Sequence, residues 1–188
     1  VGTPLVVAVP MDVPSVFVTH KEENGFVRFV SSGIEQKKLM GLKIRFKNNI
    51  SGIVFAEKKN GTEKGENADM FIDLGDSETV SEAEPGLIDA GFCEMGDNVS
   101  LFAAGIRGAL CAAITAAECE IKRETYFVFL AKTAAGLPSP SVLSYTKNAE
   151  ELIVLDKSRA NDFLGEKNIS VSLSGGVALR IMDKAMMS

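Results

Sequence analysis

Apolar residues recur along this chain with two different rhythms, and the change between them falls just after Leu101. Before it, short runs dominate. Pro4–Pro10 (PLVVAVP) is a continuous apolar run closed by Pro, which reads as a buried strand ending at Met11-Asp12. Val16–Thr19 and Gly25–Val30 flank KEENG, whose Asn24-Gly25 pair predicts a tight hairpin. Leu42–Phe46 (LKIRF) alternates, Ile53–Ala56 (IVFA) follows a polar turn, and Met70–Leu74 and Asp97–Leu101 give further strands. Lys58–Asn67 reads as a polar loop, and Ser77–Glu84 (SETVSEAE) as a short helix capped by Ser77 with acids in its first turn. Many short strands joined by tight turns predict a small β-barrel or sandwich from about Ser15 to Leu101.

Beyond that point the spacing turns helical. Ala103–Glu120 is Ala-rich and reads as a buried helix beginning near Arg107. Thr125–Leu137 (TYFVFLAKTAAGL) couples a β-branched and aromatic run to a small-residue loop, as a buried parallel strand does when it delivers a loop to the carboxyl edge of an α/β sheet. Ligands collect at that edge. The loop offers Lys132 and Thr133, then Ala134, Ala135 and Gly136, with no carboxylate, His or Cys. With no base placed to activate Lys132 or Thr133, a plain loop is the reading. Ser139–Thr146 predicts a second helix, Leu152–Leu155 a buried strand ending at Asp156, and Val171–Leu173 and Val177–Ile181 two strands around Ser174-Gly175-Gly176. Helix and strand alternate here, and Pro4–Pro10 supplies one more strand, so the expected fold is an α/β sheet made from both chain ends. Residues 1–14 and 102–188 then form one discontinuous domain, and residues 15–101 an inserted β-barrel-like domain.

Composition narrows the class. The 188 residues are 46% hydrophobic and 24% charged, which suits a soluble globular protein with a real core. Nothing approaches the roughly 18 apolar residues that span a membrane, and VGTPLVVAVP has none of the features of a signal peptide. Cys93, Cys111 and Cys119 are odd in number and lack metal-like spacing, so buried free thiols in a reducing, cytoplasmic setting are expected. Between Lys64 and Arg107 there is no Lys or Arg, while nine acids fall from Asp69 to Asp97. A phosphate-binding surface needs the opposite sign, so nucleic acid is not an expected partner.

Several collinear phrases resemble the glutamyl/tetrahedral aminopeptidase family of dinuclear metallopeptidases, some of whose members carry endoglucanase names. They are MDVPSVFVTHKEENGFVRFVSSG (Met11–Gly33), ADMFIDLG (Ala68–Gly75), YFVFLAKTAAGL, LIVLD (Leu152–Asp156) and GGVALRIMDKAMMS (Gly175–Ser188). The resemblance implies an α/β/α zinc-peptidase-like domain with an inserted small β-barrel-like domain, two divalent ions (zinc or cobalt), and assembly into a homo-oligomer. It also sets a test, because two ions about 3.5–4 Å apart need a bridging carboxylate, terminal ligands and a base. By position, the family's first ligand His falls on Pro10, with the orienting Asp retained as Asp12. Its bridging Asp falls on Ile106, with Arg107 beside it, and its Glu-Glu pair on Thr133-Ala134. Asp156 matches a retained carboxylate ligand, the last His ligand lies beyond Ser188, and the single His20 matches none.

No cofactor is therefore expected. The resemblance implies a former site lined by Asp12, Arg107, Thr133 and Asp156, in which Arg107 neutralises Asp12 or Asp156 where metal once did so. The function expected is that of a non-catalytic binding or assembly protein, with a peptide or small molecule as the candidate ligand. The alternative is a metal-dependent aminopeptidase acting on peptide N-termini, its site non-standard or completed by another subunit.

Overall fold

The computed structural model describes residues 3–57, 69–75, 80–131, 149–162, 164–165 and 170–179. Its strands make a closed six-stranded barrel, a parallel three-stranded sheet and a two-stranded ribbon. Barrel strands β2 (Ser15–Lys21), β3 (Phe26–Ser32), β4 (Lys43–Arg45), β5 (Ser51–Ala56), β6 (Met70–Asp73) and β7 (Pro85–Ile88) close in the order β2-β3-β6-β5-β4-β7. β1 (Leu5–Pro10) precedes the barrel and is the centre of the sheet, with β10 (Thr125–Leu130) and β11 (Glu151–Val154) parallel on either side.

The expected hairpin forms as its residues dictate. Asn24 (φ 61°) and Gly25 (φ 78°) both take the left-handed conformation within the four-residue connection between Lys21 and Phe26. A Cβ on Gly25 would sit 1.9 Å from the Gly75 carbonyl oxygen, so only glycine lets the turn dock there. Inside the barrel, Val16 and Val18 of β2, Val27 and Phe29 of β3, Ile44, Val54, Ile72 and Ile88 form one buried cluster. The intervening Phe17, Val30, Ile53, Phe55 and Leu87 face outward and are exposed, so parts of the outer wall are apolar as well.

Three features between the strands differ from expectation. Residues 80–84 are a turn rather than the end of a helix, and Ser77 lies outside the described residues. Val80 is drawn into the barrel core, Ala83 is left-handed (φ 63°), and its N–H donates to the Val18 carbonyl. The Glu84 carboxylate accepts from the backbone N–H groups of Ser81 (3.0 Å) and Lys47 (3.1 Å), which locks the turn to the next corner of the barrel. β7 was not expected because Pro85 and Gly86 are turn residues by type. Pro85 stands at the strand's first position, where Pro is tolerated. Finally, Asp97–Leu101 adds no barrel strand among the described residues: β9 (Asn98–Ser100) pairs there with β8 (Cys93–Met95), which was also unexpected.

Helix α1 (Ala104–Glu118) starts earlier than Arg107, after Ala103 in a left-handed conformation, and packs on β1. Only Ile106 and Ala113 of α1 are buried, so the helix is largely exposed rather than a core element. The same correction applies to β11, where Leu152, Ile153 and Val154 are all exposed. Cys93, Cys111 and Cys119 are free as expected but exposed. The two strands expected around Ser174-Gly175-Gly176 do not form within residues 170–179. That stretch instead turns through a Gly175 N–H to Ser172 oxygen bond and is tied to Asp162 and Asn161. The 58–67 loop and the Ser139–Thr146 helix lie outside the described residues.

The approaches to the three strands are joined at the amino edge of the sheet. Arg123 Nε donates to the Thr3 carbonyl (2.6 Å) and Nη1 to Glu151 Oε2 (2.8 Å), so one guanidinium links the approaches to β1, β10 and β11. Among the described residues no helix is long and apolar enough to cross a membrane.

Candidate functional site

The opposite, carboxyl edge of the sheet opens into a cleft of about 260 Å³. β1 ends in Pro10, and the chain continues its pairing through the Met11 N–H to the Leu130 oxygen before reaching Asp12. β11 runs on to Leu155, whose N–H donates to the Ala8 oxygen, and so delivers Asp156 and Lys157 beside Asp12. The first turn of α1 closes the cleft with Ile106. A parallel sheet with a helix start at its carboxyl edge generates such a crevice by construction.

Pro10, Asp12, Ile106 and Asp156 thus line one cleft. Arg107 does not. Successive helix residues point about 100° apart, so with Ile106 turned inward Arg107 is turned out, where it is exposed. It makes no ion pair with Asp12 or Asp156 among the described residues. Thr133 and Ala134 lie outside the described residues. His20 belongs to β2 and approaches Glu82 at 3.6 Å, on the barrel and away from this cleft.

The position that sequence reasoning missed is Lys157. It lines the cleft together with Asp12 and Asp156, and also lines an adjoining hollow of about 590 Å³ bordered by Glu35, Lys38, Phe102 and Ala103. Its backbone N–H donates to Asp156 Oδ1 at 2.7 Å. The signal was present in the order Asp156-Lys157 at a strand end. Nothing in residue type showed that the lysine stem would find room against α1. Gly105 makes that room: a Cβ there would lie 2.5 Å from the Lys157 Cβ.

As a donor set the cleft is poor. Pro10 and Ile106 have no donor atoms, which leaves two carboxylates among its described residues. No group of three or more His, Cys, Asp or Glu among the described residues is placed to hold a metal. Divalent zinc takes about four protein and water ligands, and hard cations about six or more oxygens. The described residues do not fit a pair of such ions.

Charge elsewhere is organised into surface pairs. Arg28 on β3 bonds Glu22 (2.8 Å) and Glu57 (3.0 Å), and the Glu22 hydrogen bond raises the Arg28 pKa while lowering that of Glu22. Lys43 likewise holds the Asp89 carboxyl below its ordinary range through a 3.0 Å contact. These groups border the barrel and tie neighbouring strands. They offer no nucleophile with an activating base.

Known proteins share this architecture. The sequence profile of M42 glutamyl aminopeptidases matches residues 3–188. An inferred aminopeptidase of Acetivibrio thermocellus is 28% identical over 195 residues, covering 98% of this chain and 59% of its own length. Among solved structures, an aminopeptidase of the archaeon Desulfurococcus kamchatkensis superposes with a TM-score of 0.73 at 21% identity, over 87% of this chain and 50% of its own. A Pyrococcus horikoshii TET1 peptidase, described as assembling into a tetrahedron or a large octahedral shell, gives 0.64 at 19% identity, over 82% of this chain and 53% of its own. The chain therefore spans 50–59% of the length of these relatives. A profile that runs from Thr3 to the last residue, over a barrel and a sheet of this arrangement, settles the kinship: the chain belongs to the M42 glutamyl aminopeptidase family.

Proposed function

We propose that this chain is an aminopeptidase homologue that has given up the dinuclear metal site and serves as a non-catalytic binding or assembly protein. The observation that carries the reading is the pair Pro10 and Ile106, two side chains without donor atoms in a cleft that also holds Asp12 and Asp156. A hydroxyl or a methyl group at Thr133-Ala134 would not replace a Glu-Glu pair, and the three losses agree with one another. In this reading residues 1–14 and 102–188 form an α/β/α peptidase-like domain and residues 15–101 an inserted barrel domain. Three free thiols suit a reducing, cytoplasmic setting. A homo-oligomer is proposed from the assembly described for the Pyrococcus horikoshii peptidase and from the exposed apolar side chains of β11.

The test is metal content after purification in zinc- or cobalt-supplemented buffer, with hydrolysis of amino-acid p-nitroanilides followed in parallel. Substoichiometric metal and no turnover are expected. Two equivalents of metal with turnover would refute the proposal.

A further inference from the structure

We propose that Asn24 is a modification site gated by closure of the barrel. Its side-chain amide is protected while the β2–β3 connection is docked on β6, and it deamidates when that connection opens. The isoaspartyl product then keeps the connection from docking again. In an Asn-Gly pair such as Asn24-Gly25 the next backbone nitrogen readily attacks the side-chain amide, because glycine puts no side chain in its way. The Gly25 nitrogen bonds to Asn24 Cγ and loses its proton, and Nδ2 leaves as ammonia, which gives a succinimide ring. Water opens the ring at either carbonyl. One opening yields aspartate. The other yields isoaspartate, in which the main chain runs through Cβ and Cγ and the α-carboxylate becomes the side group.

Residue type and exposure favour the reaction, since Asn24 is exposed, but the docked backbone forbids it. Asn24 holds φ 61° and ψ 31°. At that ψ the Gly25 nitrogen stands nearly anti to Cβ across the Cα–C bond, so the ring closes only after a large rotation. Several contacts resist the rotation. The Gly25 oxygen accepts from the Leu74 N–H at 2.9 Å, and the Glu22 N–H donates to the Phe26 oxygen at 2.8 Å. Gly25 lies so near Gly75 that an added Cβ would be 1.9 Å from its carbonyl oxygen. Gly75 is held in turn by its N–H on Asp73 Oδ1 at 2.8 Å. The β3–β6 ladder begins one residue later, with Phe26 opposite Asp73. Deamidation therefore requires the connection to leave β6, and its rate follows the frequency of that local opening. The two products differ in what they permit. Aspartate keeps the chain length and tolerates the left-handed region as asparagine does, so the connection redocks. Isoaspartate adds a main-chain carbon immediately before Gly25, whose bond to Leu74 and contact with Gly75 leave no slack for it.

The experiment ages the whole chain at mildly alkaline pH, in native buffer and in guanidinium chloride above its unfolding transition. Peptide mapping reads the amide-to-acid mass change at Asn24, and enzymatic carboxyl methylation reads isoaspartate. Deamidation in native buffer is expected to be slower than in guanidinium by roughly tenfold or more, in step with the hydrogen-exchange protection of the Leu74 N–H. Asp73→Ala, which removes the acceptor holding Gly75, should speed the native reaction and leave the rate in guanidinium unchanged. Asn24→Asp should melt at the wild-type temperature. The isoaspartyl chain, isolated after ageing in guanidinium and refolded, should melt lower and lose protection at Leu74. Equal rates in the two solvents would overturn the gating, and so would a native rate unrelated to Leu74 exchange, a comparison that stands even if Asp73→Ala fails to fold. An isoaspartyl chain that regains the wild-type Tm and Leu74 protection would overturn the block on redocking.

Discussion

The barrel interior is small enough that a single methyl group should register. Gly86 on β7 faces inward, and a Cβ added there would lie 2.6 Å from Ile44 Cγ2, 2.7 Å from Phe46 Cε1 and 2.9 Å from Val16 Cγ2. All three neighbours belong to the buried cluster. Carbon atoms in protein interiors sit at about 3.5–4.0 Å, so each must retreat by roughly 1 Å, and the neighbours come from opposite flanks of β7. Overpacking of this kind costs about 1–3 kcal/mol. Against it stands a gain of about 0.4–1 kcal/mol, because Ala narrows the unfolded ensemble and the Gly86 backbone is not left-handed. Packing wins, and Gly86→Ala should lose on the order of 1–2 kcal/mol in urea unfolding, or about 2–8 °C in Tm for a chain of this size. Gly91→Ala is the matched control, since nothing lies within 4 Å of its added Cβ. It should stay within about 0.5 kcal/mol of wild type. Equal stability of the two variants would refute a closed, tightly filled barrel.

Other outcomes follow from particular residues. Ala103→Gly should raise Tm, because a left-handed alanine (φ 57°) before α1 carries about 1–2 kcal/mol of steric penalty that glycine escapes; a fall in Tm would show the residue doing something else. Acid should destabilise the fold with a definite sign. The hydrogen bonds of Lys43 to Asp89, of Arg28 to Glu22 and of Lys37 to Glu35 hold those carboxyls below their ordinary values. Their contribution is complete above the unfolded carboxylate pKa and is lost as pH falls through the lowered folded values. Thermal melts should thus be flat from neutrality to about pH 5 and drop below about pH 4, with Asp89→Asn removing part of the drop. All three cysteines are exposed, so the native protein should release three equivalents of thionitrobenzoate from Ellman's reagent without denaturant; fewer than three would place a thiol in an interface.

What could be read from residue types divides by whether the local signal and the tertiary demand agree. Asn24-Gly25 announced its turn because only such residues tolerate two left-handed positions in a row. Val16 and Val18 announced β2 by alternating into the core, and Pro4–Pro10 announced the one strand of the sheet that is buried almost throughout. Pro85 and Gly86 concealed β7, since a glycine required by close packing looks in sequence like a glycine required by a turn. Ser77–Glu84 carried a capping pattern, but burying Val80 in the barrel outweighs one weak turn of helix. At the cleft, Pro10, Asp12, Ile106 and Asp156 could be named from resemblance alone. Lys157 could not, because its place depends on an absent side chain at Gly105, in a different element.

The order of the sheet also sets a timetable for synthesis. β1 pairs Leu5 with Thr125 and with Glu151, so its first partner is made long after it. At about 5–20 residues per second, an apolar strand waits on the order of 10 s for β10 to be made. All six strands of the barrel are complete by Ile88 and pair with one another. The barrel can therefore close first, while LVVAV stays unpaired. An apolar, β-branched segment of that length, free of charge, is what aggregation nuclei are made from. The yield of folded protein in a cell should then depend less on final stability than on what shelters those residues during the wait.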